Sequence, residues 1–564
     1  MKQYEMMELT FHAPGPRGSQ VAVDLTGRFK KGGKTIAVKG FYAGDDTYKV
    51  RFLPEEAGEY AYTVTGACLE APAEGSFTAE AADAGRHGPV RAAGVHLRHA
   101  DGTWFNSFGT TVYALVHQPK ALIDETMQTL SAAPFNKVRL CVFPKHYSYN
   151  HNEPDYYPFE RKPGAEGRDF SARAGGAAGP GNPSETAVND TWDVDRPCFA
   201  FWDALEARLK ELDDMGIQAD LILFHPYDRW GFATMPMEDN LVYLNYLTRR
   251  LSAFPNVWWS LANEYDLCMA KTLDDWRVIE TFVAEHDPFH HMLSCHNCFK
   301  PWDFARPNTT HVSWQTKQLY RVAELMRRYG KPVMIDECRY EGNLPQFWGN
   351  ISGEEMTARF WRATVQGGFC THGETFLPGT EMAWLATKTG EEEVVWWARG
   401  GQLNGGSPAR IAFLRRIVES LPGPLTPLAD GLGCLIGMTD EEVRVEVRKM
   451  PVDKQRFLSR FLLMECGERD KFLAHEYGYA GHCGEEAYLW YKDNQCCAEV
   501  TLSLPENKTY SVDVIDTWNM TVERAAERAS GQTVVALPGR PWMAVRAVAM
   551  DSGRIGFPAE NAPR

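Results

Sequence analysis

Two glutamates at the ends of apolar runs suggest the chemistry of this chain most directly. The first belongs to Val257-Trp258-Trp259-Ser260-Leu261-Ala262-Asn263-Glu264-Tyr265, and the second closes Val333-Met334-Ile335-Asp336-Glu337. Hydrolysing a glycosidic bond with retention needs one carboxyl to protonate the departing oxygen and a second, ionised one to attack the anomeric carbon, the pair standing about 5–5.5 Å apart. Their pKa values must differ, because the acid holds its proton while the nucleophile stays charged. Asn-Glu and Asp-Glu dipeptides carry little information alone. Their placement at corresponding ends of two apolar strands, three strand-helix units apart, is what points to Glu264 and Glu337 as a catalytic pair.

Further polar and aromatic residues fall at strand ends. Arg139 lies in the second apolar run, where a cation would keep Glu337 ionised or pair inside the core. His225 and Asp228 follow the third and suit either sugar hydroxyls or a loop cap. Trp314 and Gln315 end the sixth, and Trp396 and Trp397 follow the eighth; flat rings cover the C–H faces of sugars, and they also fill cores. His372 and Glu374 sit at the eighth, Glu374 being an alternative carboxylate with no Asn before it. Trp258 and Trp259 read as packing residues. Cys295, His296 and Cys298, or Cys496 and Cys497, do not assemble four converging zinc ligands, so no metal or organic cofactor is expected. Two other readings stay open. One is a metal-dependent barrel hydrolase built on His225, His290, His291 and Asp336, which lacks a His-x-His at the first strand. The other is a non-catalytic carbohydrate-binding protein, against which the paired carboxyls and Asn263 speak.

The elements that must position these residues alternate between apolar strand-length runs and amphipathic helical stretches from about Pro89 to Leu421, the pattern of parallel βα units. Eight strands are expected: Phe105 to Gly109, Lys137 to Phe143, Gln218 to Phe224, Val257 to Ala262, His291 to Cys295, His311 to Trp314, Val333 to Glu337 and Gly373 to Phe376. Helices are expected over Phe201 to Met215, Asp239 to Ala253, Asp274 to His286, Leu319 to Tyr329, Glu354 to Gln366 and Ala409 to Glu419. No Gly-rich phosphate turn is present, so a closed barrel is expected, with every strand's C-terminal end opening on one face. The Gly-, Ala- and Pro-rich insertion from Tyr147 to Asp195 would lie over that face, its centre mobile. Before the barrel, short alternating segments from Gln20 to Val64 describe an antiparallel sandwich. After Pro422, segments such as Glu442 to Arg448, Ala487 to Tyr491, Ala498 to Leu504, Tyr510 to Asp516 and Thr533 to Leu537 read as strands of another. The expected fold is thus α/β: an immunoglobulin-like β-sandwich over 1–85, a (β/α)8 TIM barrel over 86–421 and a β-sandwich over 422–564.

Asn263-Glu264 after the fourth strand and Glu337 at the seventh resemble the clan A glycoside hydrolases. That resemblance implies Glu264 as acid/base, Glu337 as nucleophile, Asn263 against the sugar 2-hydroxyl and Arg139 as the arginine that hydrogen-bonds the nucleophile. Phe224-His225-Pro226-Tyr227-Asp228-Arg229-Trp230 and Asp336-Glu337-Cys338-Arg339-Tyr340-Glu341-Gly342-Asn343 are similar to bacterial glycosidases with an apiosidase-like barrel between an immunoglobulin-like domain and a β-sandwich. The turn-to-strand segment Phe52 to Tyr60 is similar to an immunoglobulin-like junction. Apiosidase-like relatives commonly carry Asp at the position of Glu264, so the resemblance does not transfer their substrate. It implies a retaining glycosidase acting on an oligosaccharide or plant-derived glycan fragment.

Composition narrows the partners. The 564 residues are 44% hydrophobic and 24% charged, with a formal net charge of −15. The basic residues form no stripe, which argues against nucleic acid. No apolar run reaches membrane-spanning length. Met1 to Pro16 lacks a basic region followed by an apolar one, and the 13 cysteines follow no disulfide spacing, so a cytoplasmic protein is expected. The sequence leaves homo-oligomer formation open.

Overall fold

The computed structural model describes residues 1–147, 149–171, 189–377, 395–428, 431–477 and 479–551. Its centre is a sheet of eight parallel strands, here β1 (Phe108–Thr111), β2 (Lys137–Cys141), β3 (Gln218–Phe224), β4 (Val257–Ala262), β5 (Leu293–Ser294), β6 (Val312–Gln315), β7 (Val333–Glu337) and β8 (Phe369–His372). Their order is β5-β4-β3-β2-β1-β8-β7-β6, so chain neighbours are neighbours in space. The remaining seam is bridged where Thr310 N–H donates to Leu293 O (2.8 Å) and Ser294 Oγ donates to His311 O (2.7 Å). The result is a nearly closed TIM barrel.

Strands β3 and β4 are buried along their whole length, which explains why they read as continuous apolar runs: side chains fill the barrel on one face and helices cover the other. The helices are α1 (Lys120–Ala132), α2 (Phe199–Asp214), α3 (Met237–Leu251), α4 (Leu273–His286), α5 (Val322–Tyr329), α6 (Gly353–Val365) and α7 (Ser407–Glu419). Each follows one strand in turn except β5, after which 295–311 carries no helix.

Three expectations need correction. The eighth strand is not Gly373 to Phe376 but Phe369–His372; Glu374–Thr375 pairs instead with Glu341–Gly342 in a separate ribbon. The fifth shortens to Leu293–Ser294. Glu442 to Arg448 is helical, within α8 (Asp440–Lys449), followed by α9 (Val452–Leu458) and α10 (Cys466–Tyr477). The Thr439 side chain and Glu442 form a capping box at the start of α8, and Val443 and Val447, one turn apart, face its core while Val445 is exposed.

Antiparallel sheets flank the barrel. On the N-terminal side Lys34–Lys39, Leu25–Lys31, Gly58–Gly66 and Ala73–Ala79 form one sheet, and Met7–His12, Thr47–Phe52 and Phe41–Tyr42 a second. Phe29 of the first stacks on Phe52 of the second, centroids 4.2 Å apart. On the C-terminal side a six-stranded sheet includes Ala487–Tyr491, Met543–Ala549 and Tyr510–Asp516, beside a ribbon of Glu499–Ser503 and Gln532–Ala536. Within the insertion, Phe159–Arg161 pairs with Trp192–Pro197, and Trp192 Nε1 donates to Trp230 O (3.0 Å) beyond β3. Its glycine-rich centre, 172–188, lies outside the described residues. No helix among the described residues is long and apolar enough to cross a membrane.

Candidate active site

Strand β4 ends at Ala262, and Glu264 takes φ 54° and ψ 57°, a left-handed conformation that costs a non-glycine residue roughly 1–2 kcal/mol. The turn is held on both sides. Asn263 N–H donates to Phe224 O (2.9 Å), Tyr265 N–H to His296 O (2.9 Å) and Glu264 N–H to His296 Nδ1 (3.4 Å). Across the barrel, the β6–β7 register shifts at Trp314/Gln315 and sets Gln315 opposite Glu337. Such a bulge re-aims the side chains that follow it, and the Gln315 side chain hydrogen-bonds Glu264. One strand end thereby pairs with the Glu337 backbone and reaches the Glu264 carboxyl.

Beneath them is a buried ionic floor. Lys137 Nζ reaches Asp336 (2.6 Å) and Asp220 (3.1 Å), while Arg139 approaches Asp220 (3.5 Å) and Glu337 (3.7 Å). Ser313 Oγ (2.6 Å) and Thr371 Oγ1 (2.8 Å) also donate to Asp336. Burial alone would raise the Asp336 carboxyl; Lys137 and Arg139 outweigh it and hold the group well below the usual range.

Tyrosines complete the site. The Tyr113 hydroxyl donates to Glu337 and lies 2.9 Å from Asn263 Oδ1; the Tyr227 hydroxyl donates to Glu264. Burial and the charge on Glu337 push the Glu264 carboxyl up to about 7, while Tyr227, Lys145 and Gln315 act against that rise. Glu264 is therefore poised to hold a proton near neutrality and release it. Between the tyrosines sits Lys145, its Nζ 3.5 Å from the Tyr113 ring centroid and 4.4 Å from that of Tyr227.

The structure brings Glu264, Glu337, Asn263, Arg139 and Gln315 together; Arg139 Nη2 lies 3.4 Å from Asn263 Oδ1. Trp397 joins them in a wall of rings with Tyr113, Tyr147, Tyr340 and Trp348, at centroid separations of 4.9–5.9 Å. The other candidates lie elsewhere. His225 Nε2 donates to Phe143 O (3.1 Å), and the Asp228 carboxylate accepts from the backbone N–H groups of Trp230, Gly231 and Ala233. Trp314 turns out to Arg321, 5.0 Å from its ring. His372 and Trp396 face outward as well, both on Thr110 Oγ1 (3.1 and 2.9 Å). Glu374 accepts from the N–H groups of Asn404 and Gly405, and Glu341 from those of Gly406 and Ser407, at the N-terminus of α7.

Ligand atoms of Glu341, His372 and Glu374 lie within 4.8 Å of one another, but backbone donors already claim both carboxylates. His225, His291 and Asp336 do not converge, since His291 pairs with Asp287 (3.0 Å) and Asp336 with Lys137. Tyr113, Tyr227 and Lys145 escaped the sequence reading. They follow strand ends in irregular segments, and the only signal was their chemical type just beyond an apolar run.

Comparison with known proteins agrees with this geometry. The profile for an apiosidase-like catalytic domain matches residues 92–423. Domains of unknown function match on either side, DUF5060 over 1–67 and DUF5605 over 476–548. A Bacteroides vulgatus ATCC 8482 crystal structure assigned provisionally to the glycoside hydrolases is 32% identical, with 97% of this chain and 99% of that one covered and a TM-score of 0.77. A glycoside hydrolase family 5 structure from the same organism shares the fold at 13% identity and a TM-score of 0.54, over 82% of this chain and 94% of its own. No curated protein matches the chain.

Proposed function

This chain belongs to the apiosidase-like catalytic domain family and is a glycoside hydrolase, and we propose that it cleaves an oligosaccharide or plant-derived glycan fragment with retention, Glu337 acting as nucleophile and Glu264 as general acid/base. One observation carries the reading: Glu264, in the turn just after β4, and Glu337, at the end of β7, open from the same barrel, and the charge on Glu337 raises the Glu264 carboxyl.

In the first step the Glu337 carboxylate attacks the anomeric carbon as the bond to the leaving oxygen breaks, and that oxygen takes the proton held by Glu264. In the second, Glu264 removes a proton from water, whose oxygen attacks the same carbon and frees Glu337. Arg139 and Tyr113 offset the charge on Glu337 before attack and hold its orientation. Asn263, fixed beside both carboxyls by Tyr113 and Arg139, is placed to meet the sugar 2-hydroxyl. We keep the division at 1–85, 86–421 and 422–564. A cytoplasmic location is supported by the twelve unbridged cysteines among the described residues.

The test is a panel of 4-nitrophenyl glycosides and plant oligosaccharides, read by hydrolysis and by ¹H NMR of the first-formed anomer. Glu264→Gln and Glu337→Gln should each lose at least about 10³-fold in kcat for a natural glycan while folding normally. Wild-type turnover by both variants would overturn the assignment, and an inverted product would overturn the double displacement alone.

A further inference from the structure

The Lys145 ammonium is the one cation of the site left without an anionic or hydrogen-bonding partner among the described residues. Lys145 is 4% exposed, and four aromatic faces surround its Nζ: Tyr113 at 3.5 Å, Tyr227 at 4.4 Å, Trp397 at 4.8 Å and Tyr147 at 5.6 Å. Ring faces stabilise a cation but accept none of its three N–H bonds in the manner of an oxygen. Lys137 and Arg139, by contrast, are matched to carboxylates. Burial pushes the Lys145 ammonium down to about 8 even though Glu337 and Glu264 favour its charge, so holding it here is costly. The two nearest rings belong to Tyr113 and Tyr227, the residues whose hydroxyls serve the nucleophile and the acid.

We propose that Lys145 is a substrate-binding residue: its ammonium, held between the rings of the tyrosines that serve Glu337 and Glu264, donates a hydrogen bond to a ring hydroxyl of an uncharged sugar held for cleavage. The inference rests on the reading of this opening as the sugar site. The local charge balance selects the uncharged class. Lys137, Arg139 and Lys145 face Asp220, Asp336 and Glu337; with Glu264 protonated the cations and anions match, and a uronate carboxylate would add an uncompensated charge. The other titratable neighbours stay neutral: burial pushes Cys141 up to about 12, His225 down to about 3 and His296 well below the usual imidazole range.

Lys145→Met keeps the length and removes the charge and donors; Lys145→Arg keeps both. Ligand-observed NMR should show neutral methyl glycosides of the panel's sugars binding to wild type, to Glu264→Gln and to Lys145→Arg, and lost from Lys145→Met. Where the sugar is cleaved, kcat/KM of Lys145→Met should fall on the order of 100-fold. The alkaline limb of its pH profile should move up, because Glu264 loses a neighbouring cation. Wild-type binding by Lys145→Met with an unmoved limb would make Lys145 structural and overturn the proposal. So would a preference for uronides, or binding of none of the sugars by wild type. Sugars that bind through Lys145 but are never cleaved would count against the hydrolase reading and leave this one standing.

Discussion

A carboxyl that holds its proton to about pH 7 has consequences for rate and for stability, and they can be measured separately. In the proposed mechanism protonated Glu264 is the competent acid, so activity should fall as pH rises through about 7, and Tyr227→Phe should move that limb upward, because the Tyr227 hydroxyl is one of the groups stabilising the charged form. The folded value exceeds the unfolded one. Its contribution to stability is therefore fully present below the unfolded carboxyl pKa and is lost as pH rises through the folded value. Glu264→Gln should thus gain stability over wild type at pH 8 but little at pH 5, by a difference on the order of 1–3 kcal/mol, read by thermal unfolding at both pH values; an equal effect at the two would contradict the buried, charge-coupled environment. At this scale the sequence was legible where a residue ends a regular strand: Glu264, Glu337, Asn263, Arg139 and Gln315 all meet. It was not legible for Lys145 or the tyrosines, because an irregular loop has no period to say which way a side chain points. His372, Trp314 and Trp396 illustrate the complementary failure. Strand alternation sends His372 and Trp314 to the helix layer, while Thr371 and Ser313, their neighbours, point in to Asp336, and Trp396 belongs to no strand but to the short helix Trp396–Arg399.

At the scale of elements, the Glu341–Gly342 and Glu374–Thr375 ribbon feeds two carboxylates to four successive backbone N–H groups, 404–407, that lead into helix α7, the last two being its N-cap Gly406 and first residue Ser407. Anions at a helix N-terminus satisfy donors that the helix itself cannot, and here they anchor the chain after Trp397, part of the aromatic wall. The fit is close: a Cβ on Gly405 would stand 2.5 Å from Glu341 Oε2. Gly405→Ala should therefore destabilise by roughly 1–3 kcal/mol, whereas Gly18→Ala, with nothing near its Cβ, should be close to neutral; denaturant unfolding compares the two, and equal midpoints would refute the packing argument. Strands β3, β4 and β7 were legible to the residue, because a strand buried on both faces reads as a largely apolar segment rather than as an alternating one. β8 was misplaced because neither Phe-Cys-Thr-His over 369–372 nor Gly-Glu-Thr-Phe over 373–376 is a continuous apolar run, and only tertiary pairing decides which segment joins the barrel. Glu442 to Arg448 misled through its strict alternation of charge and Val, and the Thr439–Glu442 cap was the contrary signal that the sequence did contain.

For the whole molecule, the question is whether the flanking sheets are appendages or parts of one folding unit. The main apolar core takes in Val21 and Phe41 on the N-terminal side, Leu221, Ile335 and Trp361 of the barrel, and Tyr491, Ile515 and Ala544 in the C-terminal sheet, while smaller cores of their own pack around Phe29 and Phe52 and around Trp490 and Val512. Polar contacts follow the same path. Arg51 donates to Glu8 (2.8 Å), to both oxygens of Glu206 on α2 (2.6 and 2.9 Å) and to the Arg250 carbonyl on α3 (2.8 Å), and Arg362 on α6 pairs with Asp493 (2.8 Å) beyond the C-terminal strand Ala487–Tyr491. Burial alone would raise the Glu206 carboxyl, and Arg51 and Arg250 reverse that; removing Arg51 leaves a buried carboxylate short of one partner. Breaking one side of such a pair costs about 3–5 kcal/mol. Arg51→Ala should accordingly lower the midpoint of the main calorimetric transition by a few degrees, as expected for a loss of that size in a large chain. Because the apolar core still joins the parts, wild type and variant should each melt in one main transition; a new low-temperature endotherm confined to Arg51→Ala would mean that the N-terminal sheets unfold on their own and that the continuous core does not couple them to the barrel.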